Sequence, residues 1–453
     1  MVIPRRALES GPWAAPVAAE PVHATVRLPG SKSETNRALV LAALSDGPSQ
    51  IRNGLEARDT RLMRDALRVL GVTIDDSDAG VWRVTPPARF SGSGTIDCGL
   101  AGTVMRFVPP IAALTDGTVE FTGDAAAEVR PMGPLLDALY DLGVGLDPVQ
   151  ATGLPFRLTG TGEVAGGPLI VDASTSSQYI SGLLLAGARY RNGIDIRHRG
   201  ATTVPSRPNI DMTISMLRER GVHVELSAPD RWIVAPGPIR AKDVTIAPDL
   251  SNAAPFLAAG VITMGSVTVP DWPTVTDQPG DHIRRILTEF GSRVELTPAG
   301  LVVTGQYPLQ GVDLDLHDCS ELTPVVAALA AITPEPCRIR GVAHIRGHET
   351  DRLKALATEL NQLGAHVREE SDGLSFRPRV LHGGDFATYA DHRMAHAGAV
   401  LGLIVDGVVL DDISCTSKTM TGFSALWDDM LDQSAEYAFG QSGADAQAQG
   451  QDS

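Results

Sequence analysis

The sequence predicts an α/β protein of two large lobes, each built from three copies of one repeating unit. The chain has 453 residues, which is too long for one ordinary hydrophobic core and favours two. One pattern of elements also recurs six times, with starts about 70 residues apart. Each copy contains a helix that is apolar nearly all round, and such a helix is predicted to be buried. Six buried helices indicate two bundles of three, each wrapped in β-sheet.

The six copies share one order of elements: strand, apolar helix, strand, amphipathic helix and further strands. The polar segments that lead into the apolar helices are GSKSETNRALVLAAL, CGLAGTVMRFVPPIAAL, ASTSSQYISGLLLAGA, PDLSNAAPFLAAGVI, DCSELTPVVAALAAI and ADHRMAHAGAVLGLI. In the first five copies the amphipathic helix ends at a glycine, which suits the left-handed position that closes a helix. These glycines are Gly71, Gly143, Gly221, Gly291 and Gly364. An ordinary array of strand–helix–strand units with similar helices is the simpler alternative.

Both ends of the chain depart from this pattern. The first 20 residues contain apolar stretches interrupted by prolines, so they lack the continuous apolar core of a signal peptide. The sequence after about Ser434 is rich in Gln, Ala, Gly and Ser and has no periodicity. We therefore expect a disordered or loose tail at 1–20 and a flexible tail at 434–453.

The composition excludes several classes of function. The formal net charge is −16, and a strongly acidic chain is a poor general binder of nucleic acid or of an anionic membrane. No segment reaches transmembrane length without charges or turn residues. The four cysteines form no CxxC pair and no zinc spacing, as expected for a protein of the reducing cytoplasm. A local cluster of Lys and Arg in such a chain would indicate a specific anionic target.

The polar segments before the buried helices are the places where an anion would bind. They expose backbone N–H groups and the positive end of the helix dipole. GSKSETNR supplies Lys32, Ser33 and Arg37. It lacks the GxxxxGK[ST] spacing of a phosphate loop, which argues against nucleotide binding of that kind. Taken alone, a lysine such as Lys32 is more often a solvated loop residue.

Other segments have both a functional and a structural interpretation. Gly102 in LAGT lets the backbone approach a ligand closely, or serves a tight packing contact. STSSQ places hydroxyls at a helix start, where one of them would cap the helix. HETDRL puts Glu349 and Arg352 three residues apart, as an intrahelical ion pair or as an arginine fork for an anion. In DHRMAH, His392 and His396 have the spacing of two metal ligands, but no third ligand is evident.

Taken together, these segments identify a family. LPGSKSETNRALVLAAL, LAGTVMRF, SSQYISGLLLA, HETDRL, DHRMA and SKT occur in a characteristic order and spacing. From about Val26 to Trp427 the chain resembles the 5-enolpyruvylshikimate-3-phosphate synthases, or 3-phosphoshikimate 1-carboxyvinyltransferases. The resemblance implies a two-domain inside-out α/β barrel, with three βαβαββ repeats in each domain and two crossing strands between them. By this resemblance one lobe combines residues 21–30 with 248–433, and the other spans residues 31–247.

The resemblance also implies the chemistry. The family transfers the enolpyruvyl group of phosphoenolpyruvate to the 5-hydroxyl of 3-phosphoshikimate and releases phosphate, the sixth step of the shikimate pathway to chorismate and aromatic amino acids. Glyphosate inhibits the family at the phosphoenolpyruvate site. No metal or organic cofactor is required, and the expected partners are the two small-molecule substrates, with no nucleic acid and no membrane. The expected form is a cytoplasmic monomer.

The family's functional residues fall on matching positions of this sequence. Lys32 is expected to contact both substrates and to stabilise the leaving phosphate. Glu321 lies where the family has the proton acceptor for the hydroxyl, and Glu349 matches the acid that protonates carbon, for which a raised pKa is expected. The residues expected to bind 3-phosphoshikimate are Lys32, Ser33, Arg37, Ser176, Ser177, Gln178, Ser206, Glu321 and His348. Those expected to bind phosphoenolpyruvate are Lys32, Gly102, Arg130, Gln178, Arg352, Arg393 and Lys418.

Several positions depart from the best-known bacterial pattern. Leu100 and His344 each replace an asparagine, and Glu321 replaces an aspartate. Asn209 stands where a tyrosine is common, and His348 replaces a lysine near the shikimate phosphate. Because histidine has a lower pKa than lysine, phosphate binding at His348 is expected to weaken above about pH 7.

Two alternatives stay open from the sequence. The related UDP-N-acetylglucosamine enolpyruvyl transferases begin with a GxKN-type motif and use a loop cysteine as acid, and this sequence has neither a matching motif nor a suitable cysteine. A repurposed or non-catalytic paralogue that binds phosphorylated ligands is favoured by the substitutions at Asn209, His344 and His348. The intact charges of Lys32 and Glu349 argue against it.

Overall fold

The computed structural model describes the backbone of residues 11–449 and the side chains as far as residue 439. Its α-helices are α1 (Lys32–Leu44), α2 (Arg58–Val69), α3 (Gly102–Ala112), α4 (Ala125–Glu128), α5 (Gly133–Asp141), α6 (Gln178–Gly187), α7 (Pro208–Arg218), α8 (Leu250–Ile262), α9 (Ile283–Glu289), α10 (Thr323–Ile332), α11 (Arg352–Gln362), α12 (His392–Gly402) and α13 (Phe423–Gln449). Short 3-10 helices lie at Pro279–His282, Ser320–Leu322, Ala343–Gly347 and Ser414–Lys418. None of the helices in this part of the chain is long and apolar enough to cross a membrane.

The strands are short and form several small sheets. They are β1 (Trp13–Ala14), β2 (His23–Thr25), β3 (Ser49–Arg52), β4 (Thr73–Asp78), β5 (Val81–Thr85), β6 (Gly94–Asp97), β7 (Thr118–Thr122), β8 (Gly145–Asp147), β9 (Phe156–Thr159), β10 (Gly167–Val171), β11 (Ile194–His198), β12 (Val224–Ala228), β13 (Arg231–Val234), β14 (Val244–Thr245), β15 (Ser266–Val269), β16 (Arg293–Thr297), β17 (Gly300–Thr304), β18 (Asp313–Asp315), β19 (Cys337–Arg340), β20 (His366–Glu369), β21 (Leu374–Arg377), β22 (Gly384–Phe386) and β23 (Val408–Leu410). Over residues 11–449 the sheet orders are β14-β3-β5-β4, β6-β7-β9-β8, β10-β11-β13-β12, β16-β17-β15-β2, β18-β19-β21-β20 and β1-β23-β22.

The unit from β6 to β9 illustrates how the repeat folds. β6 and β7 pair in parallel with α3 as the crossover, and β8 and β9 form an antiparallel hairpin that continues the sheet. α3 is buried along its whole length, whereas the amphipathic α2 buries one face. The glycine that follows each amphipathic helix has φ between +78° and +92°, as predicted for Gly71, Gly143, Gly221, Gly291 and Gly364.

Two sheets take a strand from a distant part of the chain. β14 pairs in parallel with β3, and β2 pairs in parallel with β15. The chain therefore passes twice from one half of the molecule to the other. The two passing segments contact each other, since Gly30 and Pro248 form an antiparallel bridge and the Ser31 N–H donates to the Ala247 carbonyl over 2.8 Å.

The hydrophobic core falls into two clusters. One is built within residues 38–246, and the other combines residues 15–26 with 250–430. Helices α1, α3 and α6 pack together in the first cluster, and α8, α10 and α12 pack together in the second. Two bundles of three buried helices agree with the prediction from the repeat. The two clusters also support the lobe boundaries given above, which stay a prediction.

The N-terminal segment pairs with the body of the protein. β1 is antiparallel to β23, the Ala15 N–H donates to Val408 O over 2.9 Å, and the Ala18 N–H donates to Leu403 O over 2.9 Å. The prediction of a loose tail is therefore wrong for residues 13–18. They complete a sheet that otherwise has only two strands, and nothing in the local sequence indicates that open edge. Residues 1–10 lie outside the described residues.

The C-terminal segment is helical where a flexible tail was expected. α13 continues to Gln449, and Ser434 is buried, with its hydroxyl accepting from the His23 N–H over 3.0 Å. Gln433 accepts from the Thr25 N–H over 2.9 Å, so these side chains cover the free edge of β2. Sequence rich in Ala and Gln has high helix propensity, and no proline follows Phe423. Residues 450–453 lie outside the described residues.

Candidate active site

A cleft with many polar side chains lies between the two cores. Each of the six buried helices contributes residues at or just before its N-terminal end: Lys32 and Ser33 of α1, Gly102 and Thr103 of α3, Gln178 of α6, Ser251 of α8, Glu321 before α10, and His392 and Arg393 of α12. The N-terminal end of a helix carries a positive partial charge and free N–H groups. The cleft is therefore suited to anions although the chain as a whole is acidic.

Lys32 is the first residue of α1 and lies where the two cores meet. Its Nζ is 3.3 Å from Oδ2 of Asp59, and its backbone N–H donates to Oδ2 of Asp249 over 3.0 Å. Asp249 also caps α8 by accepting from the Asn252 N–H over 2.9 Å, so one carboxylate joins the starts of α1 and α8. Lys32 is thus anchored beside the cleft and is not a solvated loop lysine.

Four buried cationic side chains lie near one another, and we name them the cation cluster: Arg130, Arg352, Arg393 and Lys418. Arg352 donates to both carboxylate oxygens of Asp391, through Nε over 2.7 Å and Nη2 over 3.0 Å. Arg393 donates to the Ser251 carbonyl over 2.8 Å. Arg352 and Lys418 are paired with carboxylates, whereas Arg130 and Arg393 donate to main-chain carbonyls. The cluster therefore suits an anionic ligand.

Glu349 is held between two members of the cation cluster. Lys418 Nζ lies 2.6 Å from its Oε1, and Arg352 Nη2 lies 2.9 Å from its Oε2. Burial by itself would raise the pKa of Glu349, but the charges of Lys418 and Arg352 outweigh burial and hold the pKa well below its usual value. The predicted rise in the pKa of Glu349 is therefore wrong for this structure.

Glu321 is a second carboxyl in the cleft, and its surroundings act in the opposite direction. Burial raises its pKa, while the charge of Arg393 and a hydrogen bond from the Ser251 hydroxyl to Oε1 at 3.3 Å only partly offset that rise. Of the two carboxyls, Glu321 is the one that binds a proton more readily.

Gly102 lies at a crowded junction in the cleft. A Cβ atom there would be 2.9 Å from Arg106 Nη1, 3.0 Å from Gln178 Oε1 and 3.1 Å from Arg130 Nη2. The absence of a side chain therefore lets three polar groups converge on the start of α3.

Arg106 is a cleft residue that the sequence analysis missed. It is 2% exposed and lines the cleft, and it has no carboxylate within salt-bridge distance among the described side chains. Burial, together with the charge of the nearby Arg130, lowers its pKa to about 9. The available signal was a single charged residue in the otherwise apolar helix GTVMRFVPPIA.

Three cleft-lining hydroxyl residues form what we name the serine set: Ser176, Ser177 and Ser206. Ser176 accepts from the Gln178 N–H over 3.2 Å, so one hydroxyl of STSSQ does serve the helix start. Ser177 makes no such side-chain cap. Ser206 has φ +51°, a left-handed conformation that costs free energy in a residue other than glycine.

His348 lines the cleft as a neutral side chain. Burial, together with the charge of Arg352, holds its pKa well below the usual 6.5. Arg352 Nη1 lies 3.1 Å from His348 Nδ1, and because a guanidinium can only donate, Nδ1 must be the acceptor and Nε2 carries the proton. A ring that is already neutral argues against the expectation that phosphate binding at His348 weakens above about pH 7, and that expectation stays a prediction.

Two of the predicted site residues lie behind the cleft wall. Arg37 is 1% exposed and donates to Ser33 O over 3.1 Å and to Asn209 O over 2.8 Å. Lys418 reaches the cleft through Glu349. The predicted residues that line the cleft are Lys32, Ser33, Gly102, Arg130, Ser176, Ser177, Gln178, Ser206, Glu321, His348, Glu349, Arg352 and Arg393.

Two departures from the bacterial pattern make contacts through the main chain. The Leu100 carbonyl accepts from Arg130 Nη1 over 3.0 Å, and the Asn209 carbonyl accepts from Arg37 Nη2 over 2.8 Å. A carbonyl is present whatever the side chain, so these substitutions leave both contacts in place. They therefore give less support to a paralogue that has lost its chemistry.

His392 and His396 lie together on α12, with ring centroids 5.9 Å apart. Burial holds the pKa of each well below its usual value. Among the side chains that the structure describes, no group of three or more His, Cys, Asp and Glu is placed to hold a metal ion.

Comparison with known proteins agrees with the fold and the cleft. A family model described as EPSP synthase (3-phosphoshikimate 1-carboxyvinyltransferase) matches residues 17–427. The chain belongs to the EPSP synthase family. A 3-phosphoshikimate 1-carboxyvinyltransferase of Kocuria rhizophila is 52% identical over 428 residues, which are 92% of this chain and 96% of the relative.

Solved structures support the EPSP synthase fold. An EPSP synthase of Acinetobacter baumannii has a TM-score of 0.77 at 20% identity, covering 93% of this chain and 98% of its own. A second structure from that organism has a TM-score of 0.75 at 19% identity, with 91% and 97% covered. The enolpyruvyl transferase NikO of Streptomyces tendae has a TM-score of 0.72 at 19% identity, with 94% and 98% covered. These structural matches confirm the predicted two-domain α/β fold class.

Proposed function

We propose that the chain is a 3-phosphoshikimate 1-carboxyvinyltransferase, which moves the enolpyruvyl group of phosphoenolpyruvate to the 5-hydroxyl of 3-phosphoshikimate. The reaction releases phosphate and belongs to the shikimate pathway to chorismate and the aromatic amino acids. Besides the family match, one observation supports it above the rest. A single cleft holds two carboxyl groups, Glu321 and Glu349, whose pKa values are shifted in opposite directions among buried cations. Two carboxyl groups with separated pKa values in one cleft are typical of acid–base catalysis. In the roles that the family implies, Glu349 is the acid, so phosphoenolpyruvate must first raise its pKa.

The reaction needs one proton removed from oxygen and one delivered to carbon. Glu321 takes the proton of the acceptor 5-hydroxyl, and the hydroxyl oxygen bonds to C2 of phosphoenolpyruvate. Glu349 protonates the methylene carbon. The tetrahedral adduct then carries phosphate and carboxylate, which the cation cluster stabilises. The C–O bond to phosphate then breaks as the new methyl group returns a proton to Glu349, which leaves the enol ether. The proton that Glu321 took from the hydroxyl leaves with the released phosphate. Lys32 stabilises the leaving phosphate.

Phosphoenolpyruvate itself prepares Glu349 for its role as an acid. Before phosphoenolpyruvate binds, Glu349 is ionised because Lys418 and Arg352 contact it. The phosphate and carboxylate of phosphoenolpyruvate compete for those cations, with Arg130, Arg393 and Gly102 completing the site. Once the cations are neutralised, burial dominates and raises the pKa of Glu349. Substrate binding is therefore coupled to proton uptake.

The acceptor lies against neutral donors. Ser33 contacts the shikimate ring, the serine set contacts the 3-phosphate, and Gln178 lies between the two substrates. His348 donates its Nε2 proton to the phosphate. Arg37 acts through Ser33, whose carbonyl it holds at 3.1 Å.

The same proposal includes the oligomeric state, the location and the partners of the enzyme. It acts as a monomer in the cytoplasm, and it needs no cofactor and no partner beyond its two substrates. Glyphosate is an inhibitor at the phosphoenolpyruvate site. The missing side chain of Gly102 leaves room there, since a Cβ would press on Arg106, Gln178 and Arg130. Phe107, which stands where many members have proline, lies under Arg37 with the guanidinium carbon 5.2 Å from its ring centroid.

Phosphate release tests the proposal. The full chain with phosphoenolpyruvate and 3-phosphoshikimate is expected to release one phosphate for each phosphoenolpyruvate consumed, and UDP-N-acetylglucosamine as acceptor is expected to give none. Lys32→Met should lower the rate by at least about 10²-fold. Lys242→Met is the matched control, because Lys242 is 40% exposed and pairs with Glu219 on the surface.

Three other results would assign the chain differently. No release with 3-phosphoshikimate would overturn the proposal. Release with UDP-N-acetylglucosamine alone would place the chain with the related transferases. Binding of both substrates without release would support the non-catalytic paralogue.

A further inference from the structure

A chain of three side chains crosses the cleft next to the serine set. Ser206 Oγ lies 3.3 Å from Ser320 Oγ, and Ser320 Oγ lies 2.9 Å from His344 Nε2. Ser206 belongs to the loop between β11 and α7, whereas Ser320 and His344 belong to 3-10 helices of the half that contains the second core cluster. All three residues line the cleft. The hydrogen bonds therefore join the two halves of the molecule.

Ser206 can offer only its hydroxyl to a ligand. Its backbone N–H already donates to the His317 carbonyl over 3.0 Å, also across the cleft. Its φ of +51° is unusual for serine and is maintained by these contacts. A hydroxyl has one proton, so the direction in which that proton points decides whether Ser206 attracts or repels an anion.

An anion at the open end fixes the direction of the whole chain of hydrogen bonds. Ser206 can donate to it only if Ser206 accepts from Ser320, and Ser320 is free to donate there if it accepts from the Nε2 proton of His344. His344 can supply that proton as a neutral ring, since burial, together with the charges of His317 and Arg352, lowers its pKa to about 4. The ring of His348, 5.8 Å away, also faces His344.

We propose that Ser320, oriented by His344, is a positioning residue that turns the hydroxyl proton of Ser206 towards the phosphate of the acceptor substrate. The arrangement forms only when the two halves are together, so the phosphate site is completed by closure of the cleft. This inference rests on the proposed function. It gives the substituted position His344 a role that an apolar residue could not fill.

Removal of one hydroxyl tests the role of Ser320. Ser320→Ala is expected to weaken 3-phosphoshikimate binding about fivefold, the usual net effect of one neutral hydrogen bond. Calorimetric titration of the full chain measures the affinity, and kinetics should show the same rise in KM for 3-phosphoshikimate. The kcat and the KM for phosphoenolpyruvate at saturating 3-phosphoshikimate should stay within twofold. Ser320→Thr, which keeps the hydroxyl, should restore the affinity.

Two further variants separate this role from a general contact between the halves. His344→Ala should weaken 3-phosphoshikimate as Ser320→Ala does, and the double variant should be no worse than either, because both break one chain. Thr203→Val removes a different contact across the cleft, the 3.3 Å approach of Thr203 Oγ1 to His317 Nε2, and should leave both KM values unchanged.

The outcomes distinguish this inference from the proposed function. If the unmodified chain does not bind 3-phosphoshikimate, the proposed function fails. If it binds and Ser320→Ala binds equally well, the positioning role is overturned. Equal increases in the KM for both substrates would overturn it as well, since they would indicate a loss of closure. If Ser320→Ala does not fold, His344→Ala alone decides by the same criteria.

Discussion

The cation cluster and the serine set are two regions of one cleft that each face a phosphorylated anion in the proposed function, yet they are built differently. The cation cluster presents fixed charges that already have partners, Arg352 with Asp391 and Lys418 with Glu349. The serine set presents neutral hydroxyls beside the neutral ring of His348. In the proposed function, an anion binds to the cation cluster by exchange of partners, and this exchange adds a proton to Glu349. An anion binds to the serine set by orientation of hydroxyl donors, and no proton is taken up or released.

The largest expected effect comes from removing one charge of the cation cluster. Arg352→Gln leaves the buried carboxylate of Asp391 without its guanidinium partner, and breaking a buried ion pair costs roughly 3–5 kcal/mol. We expect the free energy of unfolding to fall by about that amount, and the KM for phosphoenolpyruvate to rise by more than about tenfold. Urea titration and steady-state kinetics measure the two effects.

The matched control for this variant is Arg368→Gln. The Arg368 side chain is 77% exposed and pairs loosely with Glu370 at 3.6 Å, so its loss should change neither quantity measurably. An Arg352→Gln protein as stable as this control would contradict the assignment of Arg352 and Asp391 as a buried pair on which the cluster depends.

The resemblance to a known family predicts the members of these two regions better than their protonation. HETDRL and SKT identify Glu349, Arg352 and Lys418, but the contact between Glu349 and Lys418 joins residues 69 positions apart. The pKa of Glu349 depends on that tertiary contact, and so does the position of Lys418 behind the wall. The ion pair between Glu349 and Arg352 could be predicted from the sequence, because the two residues are three positions apart, and the structure contains it.

In the fold, too, the features set by nearby residues could be predicted, and those set by distant contacts could not. Buried helices such as α3 and the glycine turns after the amphipathic helices were predictable because each depends on a short stretch of sequence. The pairing of β1 with β23 could not be predicted, because β1 covers the edge of a sheet whose other strands come from the opposite end of the chain. For α13, a composition typical of disorder was also one with high helix propensity.

A second prediction concerns Glu349 as the residue that links the cation cluster to proton transfer. Glu349→Gln removes the negative charge that competes with phosphoenolpyruvate for Lys418 and Arg352. We expect turnover to fall by roughly 10²–10⁴-fold, as for the loss of a general acid, while phosphoenolpyruvate binds as tightly as before or more tightly. Single-turnover kinetics and direct titration separate the two.

The corresponding surface variant is Glu289→Gln, which removes a partner of Arg285 on α9. It should alter neither binding nor turnover. A Glu349→Gln protein with normal turnover and weakened phosphoenolpyruvate binding would show that Glu349 only organises the cation cluster.

The smallest expected effect is a near absence of pH dependence at the serine set. Because burial holds the pKa of His348 well below 6.5, the ring is already neutral at pH 7 and loses no proton as the pH rises further. The substrate phosphate is itself fully ionised above about pH 7. The KM for 3-phosphoshikimate should therefore change less than about twofold between pH 7 and 8.5. His348→Gln, which keeps a neutral donor, should behave in the same way. A KM that rises steadily over this range in the unmodified chain but not in His348→Gln would mean that His348 is cationic in the complex, and the two regions would then bind their anions by the same means.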